Sequence, residues 1–235
     1  MARKSTEITI LCGGFGVRMG RLTSQHQKCM LKVEGKPILE HLLAQIADAF
    51  NDAKITLLVG HDSESVRNHF GETYKGLQLE YAPETTKGIR VALLSAESFI
   101  QGDTFFVIAG DTIIHASELV NLSAQKKADT MGIMLLSAKG EMAPTHALVK
   151  LKNHRVVKII YPPKTSIWGD DIYTFTTTGC YSHKLFKELR KYRVSNLAKV
   201  LLRTVKKGET IKGEICTTPW FHFASPEDLK TKVEF

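Results

Sequence analysis

"EITILCGGFGVRMG", Glu7 to Gly20, passes from a compact, partly β-branched apolar run into a loop of four glycines closed by Arg18 and Met19. The run has the composition of a buried strand. In open parallel sheets ligands collect beyond the carboxyl ends of the strands, and a glycine-rich first loop lets backbone N–H groups approach a phosphate unobstructed. The loop is neither a Walker A loop, which needs GxxxxGK[ST], nor a dinucleotide fingerprint, which wants glycine where Met19 stands. On spacing alone, a phosphate cradle and a glycine turn demanded only by geometry are equally good readings.

Outward from this stretch, strand and helix patterns alternate. "PILEHLLAQIADAF" reads as a helix with Pro37 at its first position and Ile38, Leu42, Ile46 and Phe50 at helical spacing. "KITLLVG", "LQLEYA" and "TFFVIAGD" read as strands, with "DSESVRNHF" and "GIRVALLSAESFI" as the helices between them. This β-α-β-α-β-α-β order predicts an α/β fold, Rossmann-like, with a mainly parallel or mixed sheet and helices on both faces. After Asp129 strands dominate: "TMGIMLLSA", "HALVKLK", "RVVKIIY" and "DIYTFTTTGCYS", with "KNH" as a tight turn. Two helices, a strand near "ETIKGEIC" and a terminal helix from Ser225 complete the chain. The simplest division is one domain over 1–235, with a nucleotide-binding half at 1–130 and a β-rich, acceptor-binding half at 131–235.

At 235 residues and 43% hydrophobic, the chain can bury a sizeable core. No stretch approaches the roughly 18 apolar residues of a membrane span, and the N-terminus lacks a secretory pattern, so a cytoplasmic protein without a membrane partner is expected. The four cysteines, Cys12, Cys29, Cys180 and Cys216, form no CxxC pair, which argues against a disulfide framework or a zinc site. A net charge of +8 points to an anionic substrate or partner. The basic clusters "KLFKELRKYR" and "RTVKKGETIKG" read as solvated faces, with Phe186 and Tyr192 turned to a core, so no nucleic-acid partner is expected.

Arg18 and Lys28 favour the cradle, because bare amides followed by two cations suit a triphosphate. "LCGGFGVRMG" followed by "KCMLKVEGKPILEHLL" resembles the paired signature of the nucleotidyltransferases that join a nucleoside triphosphate to a sugar 1-phosphate. The likeness runs on through "GIRVALLSA", "FFVIAGDTI", "HALVKLKNHRVVKIIYPPK", "TTTGCY" and "PWFHFASPEDL". It implies a GT-A-like nucleotidyltransferase fold and attack of an acceptor phosphate on the α-phosphorus, with release of pyrophosphate. By that resemblance Arg18 and Lys28 are catalytic, Arg18 on the β- and γ-phosphates and Lys28 at the α-phosphate. Leu11, Cys12, Gly13, Gly14, Gly88 and Asp111 would hold the nucleotide, and Ala147, Tyr161, Lys164 and Gly179 the acceptor. Asp111 and His222 would hold the metal, with Mg²⁺ expected and Mn²⁺ the alternative. From the residues alone, Asp111 could cap a turn after its strand, but its place at the end of an apolar strand beside the glycine loop favours metal binding.

Three departures from the pattern bear on function. His222 stands where the family has its second metal-binding aspartate, and imidazole suits Mn²⁺, Co²⁺ or Zn²⁺ better than Mg²⁺. It is a ligand, a water-mediated phosphate contact, or a residue that merely fills the site. Tyr161, Pro162 and Pro163 replace the E-K-P element, leaving Lys164 as the nearest substitute for its lysine. Arg90 interrupts the small residues of the helix start, facing either the substrates or solvent. Neither the base nor the acceptor follows, and the oligomeric state, monomer or homodimer, stays open. No β-helix repeats follow "PEDLKTKVEF", so a bifunctional enzyme is not expected. A noncatalytic regulator that binds nucleotide or nucleotide-sugar is the rival to the enzyme.

Overall fold

Thr6–Leu11 (β1) lies in the interior of a ten-stranded sheet with both of its faces covered, Ile8 and Ile10 packing to one side and Leu11 to the other. The computed structural model describes residues 5–14, 16–23, 26–60, 62–83, 88–138, 146–162 and 169–235. After β1 come Lys32–Val33 (β2), Lys36–Pro37 (β3), Ile38–Ala49 (α1), Ala53–Val59 (β4), Ser63–Phe70 (α2), Thr73–Tyr74 (β5), Leu77–Pro83 (β6) and Ile89–Ser95 (α3). Thr104–Ala109 (β7), Thr112–Ile114 (β8), Ala116–Gln125 (α4), Gly132–Ser137 (β9), Leu148–Lys152 (β10) and Arg155–Ile160 (β11) follow. The chain closes with Ile172–Ser182 (β12), Leu185–Lys191 (α5), Leu197–Lys206 (α6), Ile211–Ile215 (β13) and Trp220–His222 (β14).

The sheet order is β10-β11-β13-β9-β12-β7-β1-β4-β6-β5. β7, β1, β4 and β6 are parallel, as the alternation of strands and helices predicts. β12 pairs antiparallel with both β7 and β9 and so joins the parallel half to the β-rich half in one sheet. Its ladder shifts register between Phe175 and Gly179, where Thr177 has φ +63°, a left-handed backbone costly for a β-branched residue. Leu39, Leu42, Val66 and Leu119 put α1, α2 and α4 on one face, while Leu93, Phe186, Leu197 and Leu201 put α3, α5 and α6 on the other. Truncating any of these to alanine costs about 2–5 kcal/mol.

Some boundaries move from their sequence-based positions. Pro37 is the N-cap of α1 rather than its first residue, and Asp62 stands at the N-cap of α2 without a side-chain hydrogen bond. The terminal helix is a single 3-10 turn over Pro226–Lys230, closed by a capping box between Ser225 and Asp228. Phe186 is fully buried and Tyr192 nearly so, as their helical spacing predicts.

One feature that the pattern does not announce positions the far wall of the site. β8 and β14, three residues each, form a separate antiparallel ladder with His222 opposite Thr112. The Phe223 N–H donates to the Asp111 carbonyl at 3.0 Å. Beneath it Met19, Val33, Ile38, Ile113 and Phe223 form a small cluster that ties the glycine loop, the start of α1 and the C-terminal segment together. On the other side, the buried Glu118 of α4 takes four donors on one oxygen, the N–H and hydroxyl groups of Thr217 and Thr218, at 2.7–3.0 Å. Removing a multiply bonded acceptor costs about 1–3 kcal/mol. Glu118→Ala should therefore lower unfolding stability by about 2 kcal/mol in denaturant titration. Glu118→Gln, whose amide oxygen still accepts, should lose distinctly less; equal losses would contradict the acceptor role.

Candidate active site

The carboxyl ends of β1 and β7 open into a cavity of about 370 Å³, within the usual range for small-molecule sites. Leu11, Cys12, Gly14 and Gly16 form one wall, with Arg18 exposed at the edge. Two glycines set the shape of this wall. A β-carbon on Gly110, just past β7, would stand 2.8 Å from the Leu11 carbonyl, so glycine lets the two strand ends touch. Gly16 has φ +58°, and its carbonyl accepts from the Thr23 hydroxyl at 3.0 Å, which turns the loop back on itself. Met19 then buries its side chain in the cluster beside Ile38 and Phe223, which explains why no glycine stands there.

Lys28 begins a one-turn 3-10 helix over Lys28–Met30, and its neighbour Cys29 holds that turn against the loop by donating to the Cys12 carbonyl at 3.9 Å. The Lys28 side chain is only 10% exposed, and its Nζ lies 2.5 Å from Asp111 Oδ2. His222 Nε2 lies 3.6 Å from the same oxygen. Burial alone would raise the Asp111 pKa, but the neighbouring His222 ring and the Lys28 charge outweigh it and hold the carboxyl well below the usual range. Asp111 is an anion at every physiological pH.

Behind His222 stands a residue that the sequence reading missed. His146 Nε2 lies 3.3 Å from His222 Nδ1, with the two rings at 85°. Trp220 stacks on His222 at 20° and meets His146 edge-on at 85°. Burial, with His222 second, lowers the His146 pKa to about 4, so this ring is neutral near pH 7. The available signal was its place beside Ala147, at the head of a motif strand, with a second histidine in the closing motif.

The opposite wall is built from Ala147, Tyr161, Phe175, Thr177 and the start of α6, Asn196–Ala198. Asn196 caps α6 by accepting from the Ala198 N–H at 2.7 Å. The bulge in β12 sets Thr177 into this wall, and Lys199 Nζ lies 5.7 Å from the centre of the Tyr161 ring. Of the residues singled out in the sequence, the structure brings Leu11, Cys12, Gly14, Arg18, Lys28, Asp111, Ala147, Tyr161 and His222 to the cavity. Gly88 and Gly179 are packed closely against Ser195 and Tyr181, and the Gly13 backbone lies against Gly60, where a β-carbon would meet its carbonyl. Arg90 faces neither substrates nor open solvent, because its guanidinium donates to the Leu189 carbonyl at 3.1 Å and ties α3 to α5. Lys164 lies outside the described residues. Among the described residues no group of three or more His, Cys, Asp or Glu could hold a metal ion unaided. No helix among them is long and apolar enough to cross a membrane.

The chain is 27% identical over 213 residues to the UTP–glucose-1-phosphate uridylyltransferase AglF of Haloferax volcanii, covering 87% of this chain and 86% of that one. It is 29% identical over 231 residues to the bifunctional protein GlmU of Methanococcus aeolicus, covering 95% of this chain and spanning about half (52%) of that relative's length. The solved UDP-glucose pyrophosphorylase of Acinetobacter baumannii superposes with a TM-score of 0.83 over 96% of this chain and 91% of the other; at 14% identity this shows the fold. The family model described as the MobA-like NTP transferase domain matches residues 8–209, from the middle of β1 to beyond α6. The chain belongs to the MobA-like NTP transferase family.

Proposed function

We propose that this protein condenses a nucleoside triphosphate with a sugar 1-phosphate, or a related phosphomonoester, to give a nucleoside-diphosphate sugar and pyrophosphate. The observation that carries the reading is the meeting, in one cavity, of a glycine loop, the buried cation Lys28 and the permanently ionised Asp111. In this reaction an acceptor phosphate oxygen attacks the α-phosphorus and the bond to the pyrophosphate oxygen breaks. No proton needs to move, so the protein contributes position and charge. Lys28 neutralises charge at the α-phosphate, and Arg18, exposed at the edge, meets the β- and γ-phosphates and the departing pyrophosphate. Backbone groups of Leu11, Cys12 and Gly14 line the nucleotide, while Ala147, Tyr161 and the wall around Thr177 face the acceptor. The similarity to AglF, a UTP–glucose-1-phosphate uridylyltransferase, supports a sugar 1-phosphate as the first acceptor to try.

The donors at hand fit a divalent ion. Asp111 offers a carboxylate and His222 an imidazole on the same side, and these two residues would hold it. Held by Asp111 and His222, such an ion would supply neutralisation of phosphate charge. We assign the enzyme to the cytoplasm, where nucleoside triphosphates are available, and its product to polysaccharide or glycoconjugate assembly.

Each ribonucleoside triphosphate should be incubated with a panel of sugar 1-phosphates and other phosphomonoesters, in Mg²⁺ or Mn²⁺, and pyrophosphate release followed. At least one combination should turn over and stop on addition of a chelator; triphosphate binding without turnover across the panel would leave only a binding protein. Lys28→Ala and Asp111→Ala should each lower kcat by about a hundredfold or more with an unchanged circular-dichroism spectrum. Near-normal kcat in either would remove that residue from the chemistry. Arg18→Ala, at an exposed position, should raise KM for triphosphate more than it lowers kcat.

A further inference from the structure

We propose that Lys199, in the first turn of α6, is the cation that binds the acceptor phosphate, exchanging the face of the Tyr161 ring for the phosphate oxygens when the acceptor enters the cavity. The inference rests on the transferase reading given above and concerns the half of the reaction for which that reading names no cation. A phosphomonoester carries about two negative charges near pH 7, and it must be brought against a triphosphate that carries more. Like charges at contact distance repel strongly unless each has its own counter-charge. The two cations that line the cavity belong to the triphosphate side, Lys28 beside Asp111 and Arg18 at the edge of the glycine loop. The opposite wall, built from Ala147, Tyr161, Phe175, Thr177 and the first residues of α6, is uncharged. By itself that wall would leave the acceptor's charge without a partner in a half-enclosed cavity, an arrangement charged groups avoid.

Lys199 directly follows Ala198, the last of the wall residues on α6. The turn that carries it is fixed by three contacts. The Asn196 side chain accepts from the Ala198 N–H at 2.7 Å, and the Ser195 carbonyl accepts from the Arg90 N–H at 3.2 Å. A β-carbon on Gly88 would stand 2.8 Å from that same carbonyl, so the starts of α3 and α6 pack backbone to backbone. From this turn the Lys199 Nζ comes to 5.7 Å from the centre of the Tyr161 ring, within the roughly 6 Å over which a ring face attracts a cation. Tyr161 itself lines the cavity. Lys54, Lys150 and Arg190 each meet a carboxylate, whereas half-buried Lys199 has no carboxylate partner among the described residues. A ring face keeps an ammonium close by without neutralising it or using its three N–H donors. A charge-assisted hydrogen bond to phosphate is the stronger contact, and a flexible four-carbon stem allows the exchange.

The test pairs kinetics with binding on the full chain. With glucose 1-phosphate, or whichever acceptor the panel selects, Lys199→Met should raise the acceptor KM about ten- to a hundredfold, the loss expected for a hydrogen bond to a charged group. The KM for triphosphate should stay within about twofold of wild type, because that substrate meets the other wall. Lys199→Arg, which keeps the charge, should recover most of the acceptor KM, and Lys164→Met should leave it unchanged. An unchanged acceptor KM in Lys199→Met, an equal rise in both KM values, no recovery in Lys199→Arg, or the effect moving to Lys164→Met would each overturn the assignment and leave the transferase intact. Independently of turnover, inorganic phosphate added to the chain with inorganic triphosphate present should protect Lys199 from acetylation by acetic anhydride, mapped by mass spectrometry. Calorimetry should show weaker phosphate binding to Lys199→Met. Protection and weakened binding without pyrophosphate release from any acceptor would uphold the anion site and remove the transferase. No protection, with equal phosphate affinity in wild type and Lys199→Met, would overturn the proposal even in an active enzyme.

Discussion

A carboxylate set into the floor of a cavity must be neutralised there, and much of the site can be understood as the means by which Asp111 is kept an anion. Desolvation opposes its charge. Lys28 and His222 answer from different parts of the chain, converging on the same carboxylate oxygen. A buried pair of this kind contributes little net stability, since desolvation consumes most of the attraction. Its value is placement: a lysine ammonium and a permanently ionised oxygen held side by side where a polyphosphate can lie.

Each partner depends on a packing arrangement that has no chemistry of its own. The Lys28 turn leans on Cys12 through Cys29, and the glycine loop can approach β7 because Gly110 has no side chain. His222 reaches Asp111 because β14 pairs with β8, because Phe223 donates to the Asp111 carbonyl, and because Glu118 gathers Thr217 and Thr218 just before that strand. Met19 and Phe223, in one small cluster, bring the first loop and the last strand to the same spot. The sheet supplies the floor, and these local devices supply the walls.

Most of the sheet was legible in the sequence, since strands buried on both faces, such as β1, β4 and β7, are near-continuous apolar runs and the helices between them carry clear apolar stripes. Arg18, Lys28, Asp111 and His222 were legible as motif residues, and the cavity gathers all four. The β8–β14 ladder was not, because three residues show no periodicity and their pairing spans much of the chain. His146 was missed for the same reason: its meaning lies in a ring 76 residues away. Arg90 misled because a cation near a glycine-rich helix start suggests a phosphate, whereas the helix-to-helix bond it makes leaves no local mark. Gly179 follows the family pattern, yet the space it vacates belongs to Tyr181.

The brevity of the β8–β14 ladder has a consequence for how the molecule comes apart. The Lys28–Asp111 and His146–His222 contacts close loops of 83 and 76 residues, so neither forms from local structure alone. The ten-stranded sheet is secured along its length, whereas the wall that carries His222 is held by a three-residue ladder, a small apolar cluster and the bonds to Glu118 and Asp111. Opening that wall exposes far less apolar surface than global unfolding and therefore has a lower free energy. On warming, this wall is therefore expected to open before the sheet unfolds.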